Sequence, residues 1–511
     1  MVTLTLSLVS HTNAGKTTLA RTLLGADVGE VRDAPHVTEF AEGHELIDCA
    51  GETAASERDR LRLWDTPGFG DSARLVRRMR QSAQPLGWFL GHVWDRWRDR
   101  PFWASQQALR HVQEHSDLVL YLVNAAESPE LAGYVPAEMD LLAWLGKPVL
   151  VLLNQLGEPR AAADEAAEVQ AWRRHLGAWP LVQAVLPMDA FARCWVHEAT
   201  LWQAVQSALA DSASAQAMGR LAVAWAARRQ VTFDAAMDEL AHSLARTALM
   251  RAPVQQSAGI GQRLRQLGQN LNSTVMGQFG GPANATHPAA LAQLNLLASQ
   301  QVEVQTSTAR LIKLHGLAGA VQAEVLQRVQ SQFAARQHVP EGKAALLGGA
   351  VSGALVGLKA DVASGGLTLG GGLLVGAVLG ALGAAGVARG VNVVRGTDQS
   401  WVAFSDEALA PGVQAALLRY LAVAHFGRGR GDWAASEAPA HWQTAVAEVL
   451  AAQAEAWAAV WRDRDPHALA GGADDAQADA AAQRLASSMR PLLASAVDLV
   501  LGRLYPRENG P

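Results

Sequence analysis

The stretch SHTNAGKTT, at residues 10–18, determines how the N-terminal part of this 511-residue chain folds. It follows TLTLSLV (residues 3–9), which predicts a buried strand, and it opens a helix that we expect to continue to Leu24. A Gly-Lys-Thr sequence between a strand and a helix is typical of a phosphate-binding loop, because backbone N–H groups and the positive helix end attract a phosphate. The predicted nucleotide-binding residues of this loop are Asn13, Ala14, Gly15, Lys16, Thr17 and Thr18.

The side chains of this loop have distinct predicted roles. Gly15 lets the backbone approach the β-phosphate closely, and Lys16 reaches the β- and γ-phosphate oxygens. The hydroxyl of Thr17 is a ligand for Mg²⁺. Ser10 stands where such loops usually have their first glycine, so the match is imperfect and the prediction needs a second motif.

That second motif is LWDTPG, at residues 63–68. Asp65 ends a predicted strand, in a position to reach Mg²⁺ through a water molecule. The backbone N–H of Gly68 can contact the γ-phosphate and respond to its loss. Either motif alone would be a weak signal, but both in this order predict a nucleoside triphosphate site with Mg²⁺.

The chain beyond these motifs predicts two domains. Strands that alternate with helical stretches form a mostly parallel sheet with helices on both faces. We therefore predict an α/β domain over residues 1–210 and a largely α-helical domain over residues 211–511. The further predicted strands lie at residues 44–49, 61–64, 117–124, 147–154 and 181–188.

SHTNAGKTT together with DTPGFGD (residues 65–71) resembles the TrmE–Era–septin-like class of GTPases, the broad 50S ribosome-binding-type GTPase family. The whole chain resembles a bacterial family that joins this GTPase domain to a C-terminal domain of unknown function. EVRDAPHVTEFAEG (residues 30–43) and RYLAVAHFGRGRGDW (residues 419–433) carry that narrower resemblance. The resemblance implies GTP and GDP as ligands and GTP hydrolysis as the activity, whereas the C-terminal part brings no activity with it.

The resemblance also implies roles for single residues. Thr38 matches the threonine that closes over Mg²⁺ in the triphosphate state, and Asn13 matches an asparagine that helps to hold K⁺ beside the phosphates. Phe69 stands where Ras-like enzymes have a water-positioning glutamine, so we expect slow intrinsic hydrolysis that needs K⁺, a partner's side chain or dimerisation. The predicted catalytic residues are Lys16, Thr38 and Gly68, and the predicted Mg²⁺ ligands are Thr17, Thr38 and Asp65.

The base-recognition motif departs from the pattern of the family. VLVLLNQLGE (residues 149–158) stands where the resemblance expects Asn-Lys-x-Asp. Asn154 keeps a group that can hydrogen-bond the base, but Gly157 replaces the aspartate that accepts from guanine, and Glu158 comes one residue later. The preference for GTP over ATP therefore rests on the resemblance, and relaxed base specificity stays open.

Residues 72–116 form an insert that is longer than a simple connection requires. It contains several tryptophans and arginines, and the spacing of Trp94 and Trp97 predicts that they share a helix face. Two interpretations stay open. The tryptophans either form a surface for a protein partner or a membrane, or they pack onto the chain's own helical domain, which we favour because a long helical region needs aromatic anchors.

Residues 344–396 form an apolar tract rich in glycine and alanine, which we predict to be a helical hairpin. Gly372, Gly376 and Gly380 recur at every fourth position and form a smooth stripe of the kind that lets helices pack closely in membranes. The leucine and valine content argues against a flexible linker. Contact with the inner membrane is slightly favoured, and a hairpin buried in the helical domain is the alternative.

The composition narrows the classes of function. The net charge of −5 gives no reason to expect binding to DNA by bulk electrostatics. Cys49 and Cys194 have neither disulfide nor zinc spacing, which suits the cytosol. We expect a cytoplasmic protein, peripheral to or partly inserted in the inner membrane if the apolar tract is a membrane segment.

Three functions are consistent with these features. The first is a slow GTPase, activated by a cation or a partner, that acts as a nucleotide-dependent switch on its helical domain. The second is a membrane-associated scaffolding protein whose nucleotide site turns over little. The third is an ATP-binding P-loop protein.

Overall fold

The structure is a computed structural model that forms two compact units. The first unit comprises Met1–Val231 with Ala424–Asp432, and the second comprises Thr232–Val423 with Trp433–Pro511. The structure describes residues 2–26, 28, 41–49, 59–81, 84–91, 97–156, 162–188, 195–209, 211–254, 288–317, 391–395, 400–425, 440–464 and 475–505.

The first unit is built from alternating strands and helices, as the sequence predicts. Its strands are β1 (Thr3–Ser10), β2 (Glu42–Asp48), β3 (Arg60–Asp65), β4 (Leu118–Asn124), β5 (Val149–Asn154) and β6 (Val182–Pro187). Its helices are α1 (Lys16–Leu24), α2 (Ser72–Met79), α3 (Pro85–Gly91), α4 (Arg100–His115), α5 (Val135–Leu145), α6 (Ala162–Leu176), α7 (Trp195–Ala208) and the first part of α8 (Ser212–Leu249).

The strands form one sheet in the order β2-β3-β1-β4-β5-β6. All neighbouring pairs are parallel except β2 and β3, which are antiparallel at the edge of the sheet. The predicted α/β fold with a mostly parallel sheet is therefore confirmed. The antiparallel edge was not foreseen, because a hydrophobic pattern does not reveal the direction of a strand.

Both faces of the sheet are covered, and β4 shows how. Its side chains point alternately to the two faces, as the pleat of a strand requires. Leu118, Leu120 and Leu122 join one apolar cluster, which includes residues of α1, α7 and the start of α8. Val119 and Tyr121 join the other cluster, which includes residues of α2 to α6. The sheet therefore has a helical layer on each side.

The start of α8 packs on the first of these clusters through Ala217, Met218 and Leu221. The side chain of Arg220 also forms an ion pair of 2.6 Å with the buried carboxylate of Asp59. The first unit therefore continues beyond the boundary expected near residue 210.

The insert at residues 72–116 forms helices α2, α3 and α4 where it is described. Trp97 lies in a turn before α4 and not on a helix. The prediction that Trp97 shares a helix face with Trp94 was therefore wrong. Trp94 itself lies outside the described residues. The spacing was misleading because Asp99 and Pro101 start a new helix immediately afterwards.

The second unit is largely helical, as predicted. It also contains a small antiparallel sheet in the order β7-β9-β8, which the sequence reading missed because its strands are short and far apart in the chain. The described elements are the second part of α8, β7 (Arg251–Pro253), α9 (Pro288–Leu314), β8 (Val391–Arg395), β9 (Ser400–Phe404), α10 (Asp406–Ala424), α11 (Ala440–Ala452), α12 (Ala454–Arg462) and α13 (Asp475–Leu504).

The predicted apolar hairpin lies outside the described residues, except for β8 at the end of the 344–396 tract. Within the described part of the chain, one helical segment is long and apolar enough to cross a membrane. It is Gln477–Leu504, and 44% of its most apolar window is buried. This segment belongs to α13, which packs against α11 and α12 in the second unit, and a core helix has the same length and composition.

Candidate functional site

The loop between β1 and α1 has the backbone shape of an anion cradle. Gly15 has φ +86° and Asn13 has φ +65°, both in the left-handed region that favours glycine. Gly15 precedes α1, and no side chain caps the first N–H groups of this helix. Uncapped N–H groups at a helix N-terminus attract negative charge, so the sequence motif folds into the geometry that phosphate binding requires.

Lys16 is buried at the centre of this loop, with 7% of its surface exposed. Its Nζ donates to Oγ of Ser10 at 3.0 Å, so the serine that replaces the usual glycine holds the ammonium group. Burial lowers the pKa of Lys16, and the charges of Asp65 and Glu138 oppose that shift. A Cβ atom on Gly68 would lie 3.1 Å from Nζ, which places the DTPG backbone directly beside the lysine.

Thr17 and Asp65 meet across the site. The Thr17 hydroxyl donates to Oδ2 of Asp65, which joins the first turn of α1 to the end of β3. Oδ1 of Asp65 is buried and has no hydrogen-bond partner among the residues that the structure describes. Burial raises the pKa of this carboxyl, which the charge of Lys16 partly offsets.

These two residues fit a magnesium ion. A hydroxyl and a carboxylate are the hard oxygen ligands that Mg²⁺ prefers, and such sites take their remaining ligands from waters and phosphates. The unpaired Oδ1 of Asp65 would gain a partner from the ion or from its bound water. Among the described residues, no group of three or more His, Cys, Asp or Glu side chains could hold a metal ion by itself.

The DTPGFG segment is hydrogen-bonded to the loop through its backbone. The N–H of Phe69 donates to the carbonyl of Ser10 at 2.8 Å, and the N–H of Thr12 donates to the carbonyl of Phe69 at 3.2 Å. The side chain of Phe69 is fully buried in the apolar core. It therefore points away from the loop, and it cannot position water as a glutamine at this place does in Ras-like enzymes.

Asn154, at the end of β5, is fully buried against the same loop. Its Nδ2 donates to the backbone carbonyl of Ala14 at 2.8 Å. The following residue, Gln155, has φ +60°, so the chain turns sharply at this point. Gly157 and Glu158 lie outside the described residues. Of the predicted base-recognition segment from Asn154 to Glu158, the structure therefore describes residues 154–156.

Of the other predicted residues, Ala14 and Thr18 are buried in the loop and the first turn of α1, and Asn13 is exposed. Thr38 lies outside the described residues. The structure therefore brings together the described members of the predicted set, which come from three separate segments of the chain. They are Asn13, Ala14, Gly15, Lys16, Thr17, Thr18, Asp65, Gly68 and Asn154.

The sequence reading missed Glu138, which is fully buried beside the loop. Its Oε1 accepts from Nδ1 of His11 at 2.7 Å and from Oγ of Ser72 at 2.6 Å, and its Oε2 accepts from the hydroxyl of Tyr121 at 2.6 Å. The burial of Glu138 could have been predicted from helical periodicity, because Glu138 shares a face of α5 with the buried Val135 and Leu142.

The tryptophans of the insert divide into two groups. Trp88 and Trp103 are partly buried and pack against the core of the first unit. Trp97 is 84% exposed. Trp88 and Trp103 therefore pack within the first unit, whereas the favoured interpretation placed the tryptophans against the helical domain. The exposed Trp97 keeps the surface interpretation open.

Two sequence families match this chain. The family described as 50S ribosome-binding GTPase matches residues 5–155, which contain the whole described loop, Asp65 and Asn154. The family described as domain of unknown function (DUF3482) matches residues 323–488. No curated protein matches the chain.

Among solved structures, Era from Aquifex aeolicus bound to GDP and AlF₄⁻ is 17% identical, with a TM-score of 0.30 over 42% of this chain and 58% of that chain. Era in complex with MgGDPNP and a segment of 16S ribosomal RNA gives the same values. A probable GTP-binding protein, engB, is 15% identical, with a TM-score of 0.24 over 40% of this chain and 98% of that one. The chain thus spans less than two thirds of the Era chains.

Proposed function

We propose that this chain, in which a GTPase domain of the 50S ribosome-binding GTPase family precedes a C-terminal domain of unknown function, binds GTP and GDP with Mg²⁺ and hydrolyses GTP slowly. The observation that carries the proposal is the cluster of Lys16, Thr17 and Asp65, in which a buried ammonium group and an unpaired carboxylate oxygen face an uncapped helix end. A phosphate with its metal ion satisfies all three groups at once.

Each residue of this cluster has a role in binding. Lys16 binds the β- and γ-phosphate oxygens, Thr17 is a direct ligand of Mg²⁺, and Asp65 reaches the ion through water. Magnesium held by these residues would supply positive charge against the negative charge that develops on the phosphate. Thr38 is the further ligand in the triphosphate state, as the resemblance implies.

The burial of Phe69 supports slow turnover. Lys16 and the N–H of Gly68 can stabilise charge on the γ-phosphate, but the DTPGFG segment offers no side chain at Phe69 to orient water. Hydrolysis would then require K⁺ beside Asn13 or a group from a partner. The exposed Trp97 supports the insert as the surface for such a partner.

The backbone bonds between Phe69 and the loop support a switch. Gly68, which would sense the γ-phosphate, is adjacent to Phe69 and lies beside Lys16. Loss of that phosphate would release the N–H of Gly68 and shift the segment that leads into α2. The helical domain would respond to this shift.

The main alternative is a membrane-associated scaffolding protein that binds nucleotide with little turnover. The burial of Phe69 favours low turnover, and the 344–396 tract would supply the contact with the inner membrane. A site that also accepts ATP is the second alternative, because Gly157 replaces the aspartate that selects guanine.

The test is to identify the nucleotide that copurifies with the full-length protein and to measure its affinities for GTP, GDP and ATP with and without Mg²⁺. We expect GTP and GDP to bind more tightly than ATP, and Lys16→Ala to lose at least about tenfold in GTP affinity. Lys313→Ala, which removes an exposed lysine from α9, should leave the affinity unchanged. Equal affinities for ATP and GTP would support the ATP alternative, and no affinity for any of them would refute the proposal.

A further inference from the structure

Glu138 is a buried carboxylate that the predicted nucleotide chemistry does not use. It lies in the first turn of α5 with 0% of its side chain exposed. A buried carboxylate is costly unless its oxygens accept hydrogen bonds, and Glu138 accepts them on both oxygens. The hydrogen-bond donors hold the Glu138 carboxylate in place, so the segments to which these donors belong indicate what Glu138 connects.

The donors to Glu138 come from three different segments. His11 belongs to the loop between β1 and α1, Ser72 is the first residue of α2, and Tyr121 is in the middle of β4. His11 and Ser72 both donate to Oε1, while Tyr121 alone donates to Oε2. The carboxylate is thus fixed to the sheet through one oxygen and shared between the two phosphate-facing segments through the other.

The loop side of this arrangement is held firmly. Because a carboxylate can only accept, Nδ1 of His11 carries the proton in this bond. The ring of His11 also stacks on Tyr134, with ring centroids 4.6 Å apart and planes inclined by 23°. Both contacts of His11 are with residues at the start of α5, and its neighbour Ser10 holds Lys16. A shift of Glu138 would therefore move His11, and with it the adjacent Ser10, which accepts the hydrogen bond from Lys16.

The other side of the arrangement belongs to the segment that follows DTPG. Ser72 lies four residues after Gly68, and its hydroxyl is 2.6 Å from Oε1 of Glu138 and 3.0 Å from the carbonyl of Gly70. A hydroxyl has one proton, so Ser72 can exchange its bond to the carboxylate for one to its own segment. A small movement of the segment from Gly68 to Ser72 is enough to transfer the Ser72 hydrogen bond from Glu138 to the carbonyl of Gly70.

We propose that Glu138 is a positioning residue through which the DTPGFG segment and the phosphate-binding loop communicate, so that the protein distinguishes GTP from GDP. This inference rests on the proposed function. When the γ-phosphate draws Gly68 towards the site, Ser72 moves relative to Oε1, and the bond between Glu138 and His11 adjusts the loop that holds Lys16. Tyr121 keeps the carboxylate attached to the sheet while this exchange occurs.

The experiment compares full-length variants for the ratio of their dissociation constants for GDP and for a non-hydrolysable GTP analogue, measured with Mg²⁺. Ser72→Ala removes the donor that follows the DTPG motif. Its matched control is Ser116→Ala, which also removes a buried serine hydroxyl with a side-chain partner, Oγ of Ser7 at 2.5 Å, but away from the loop and from DTPGFG. Both variants lose one buried hydrogen bond, so a purely structural role predicts a loss of stability in each and no change of the ratio in either.

We expect Ser72→Ala and Glu138→Gln to change the ratio by about tenfold, within the usual range of coupling between sites, and Ser116→Ala to leave it within about twofold of the wild type. His11→Ala combined with Ser72→Ala should change the ratio by less than the product of the single effects, because both residues donate to the same oxygen. Glu138→Gln can fail to fold, and Ser72→Ala then decides the question.

Equal ratios in the wild type, Ser72→Ala and Ser116→Ala would overturn the inference while GTP binding itself still stands. A change of the same size in both serine variants would overturn it as well, because the effect would then follow stability. If the wild type binds neither nucleotide, the proposed function fails first and this inference fails with it.

Discussion

The side-chain amide of Asn154 donates to the backbone carbonyl of Ala14 at 2.8 Å and so joins the end of β5 to the loop between β1 and α1. The same amide nitrogen would lie 2.6 Å from a Cβ atom on Gly15. Asn154 therefore fixes the shape of the loop, whatever it does for the base. This contact also explains why residue 15 must be glycine for two independent reasons, its φ of +86° and the space that the amide occupies.

Gly15→Ala should lower the free energy of unfolding of the first unit by roughly 2–4 kcal/mol and abolish measurable GTP binding. About half of the loss comes from left-handed backbone strain, and the remainder comes from the collision with Asn154. The matched control is Gly146→Ala, because Gly146 has φ +65° and nothing within 4 Å of its added Cβ. It should cost only about 1 kcal/mol and leave binding intact. Similar losses in the two variants, measured by denaturation and nucleotide binding, would contradict this account.

Phe69→Gln should not raise the rate of GTP hydrolysis, although it installs the residue that Ras-like enzymes use. The side chain at this position points into the core, and its backbone is tied to Ser10 and Thr12. The variant should instead lose about 3–5 kcal/mol of stability, because it removes a buried aromatic ring and buries an amide. Single-turnover hydrolysis in K⁺ and in Na⁺ is the measurement, with Phe69→Leu as the apolar control. A faster glutamine variant would show that this segment rotates its side chain towards the nucleotide.

Much of this site was accessible from the sequence because its residues lie next to strand ends. β5 is recognisable as a short apolar run and β1 and β3 as alternating strands, and the carboxyl ends of parallel strands meet at one edge of a sheet. That rule alone predicts that Lys16, Asp65 and Asn154 come together. The alternation of strands and helices along the chain also predicted a helical layer on both faces.

The remaining features depend on tertiary contacts that no local pattern encodes. Glu138 is distant in sequence from His11 and Ser72, and its partners became known only from the fold. The antiparallel direction of β2 is invisible to a period-two pattern, and β7 pairs with a strand roughly 150 residues later in the chain. The sequence shows Phe69 in place of glutamine, but the burial of its side chain in the core became known only from the fold.

Gly70→Ala should destabilise the protein strongly, because the insert covers the DTPGFG segment. An added Cβ would lie 2.3 Å from Cβ of Pro101 and 2.6 Å from its Cα, and backbone atoms of α4 cannot move aside cheaply. We expect a loss of about 2–3 kcal/mol, the upper range for overpacking. Gly91→Ala, at the end of α3, has nothing within 4 Å of the new Cβ and should be neutral or slightly stabilising. Thermal denaturation of both variants measures the difference, and a silent Gly70→Ala would refute the packing of α4 on this segment.

Asp65→Asn should stabilise the nucleotide-free protein at neutral pH in the presence of a chelator, although it abolishes Mg²⁺-dependent binding. Burial raises the pKa of Asp65 above its ordinary value of 3.8, so the folded state holds this proton more tightly than the unfolded chain does. Its contribution to stability is therefore present below pH 3.8 and is lost as the pH rises through the folded-state pKa. The advantage of the variant should grow with pH above 3.8 and then level off.

The control for this pH dependence is Asp211→Asn, because the backbone N–H of Ser214 lowers the pKa of Asp211. That carboxylate contributes stability above its ordinary pKa and loses it as the pH falls, so the difference from the wild type should have the opposite slope. Melting temperatures from well below pH 3.8 up to about pH 8 measure both variants, because the contribution of Asp211 changes mainly below its ordinary pKa of 3.8. The same slope in both variants would contradict the burial of an unpaired carboxylate at Asp65.

Arg220→Ala should show that the start of α8 is part of the first unit. Asp59 has 1% of its side chain exposed and is held by Nε of Arg220 at 2.7 Å and by the N–H of Val2 at 2.9 Å. Without the arginine, a buried carboxylate keeps only one donor, which costs several kcal/mol for a fully buried pair. Because Arg220 is half exposed, we expect a loss of about 2 kcal/mol.

Arg228→Ala is the matched control for that prediction, because Arg228 lies on the same helix and donates to the backbone carbonyl of Asp48 at an exposed site. It should cost less than about 1 kcal/mol, as exposed contacts do. Adding Asp59→Asn to Arg220→Ala should recover part of the loss, because the buried charge is then gone. Equal effects of the two arginines, or no recovery in the double variant, would mean that the Asp59 carboxylate does not anchor α8 to the sheet. A larger effect for Arg220 would place the end of the first unit inside α8, because removal of the start of this helix leaves the buried Asp59 carboxylate without its charged partner.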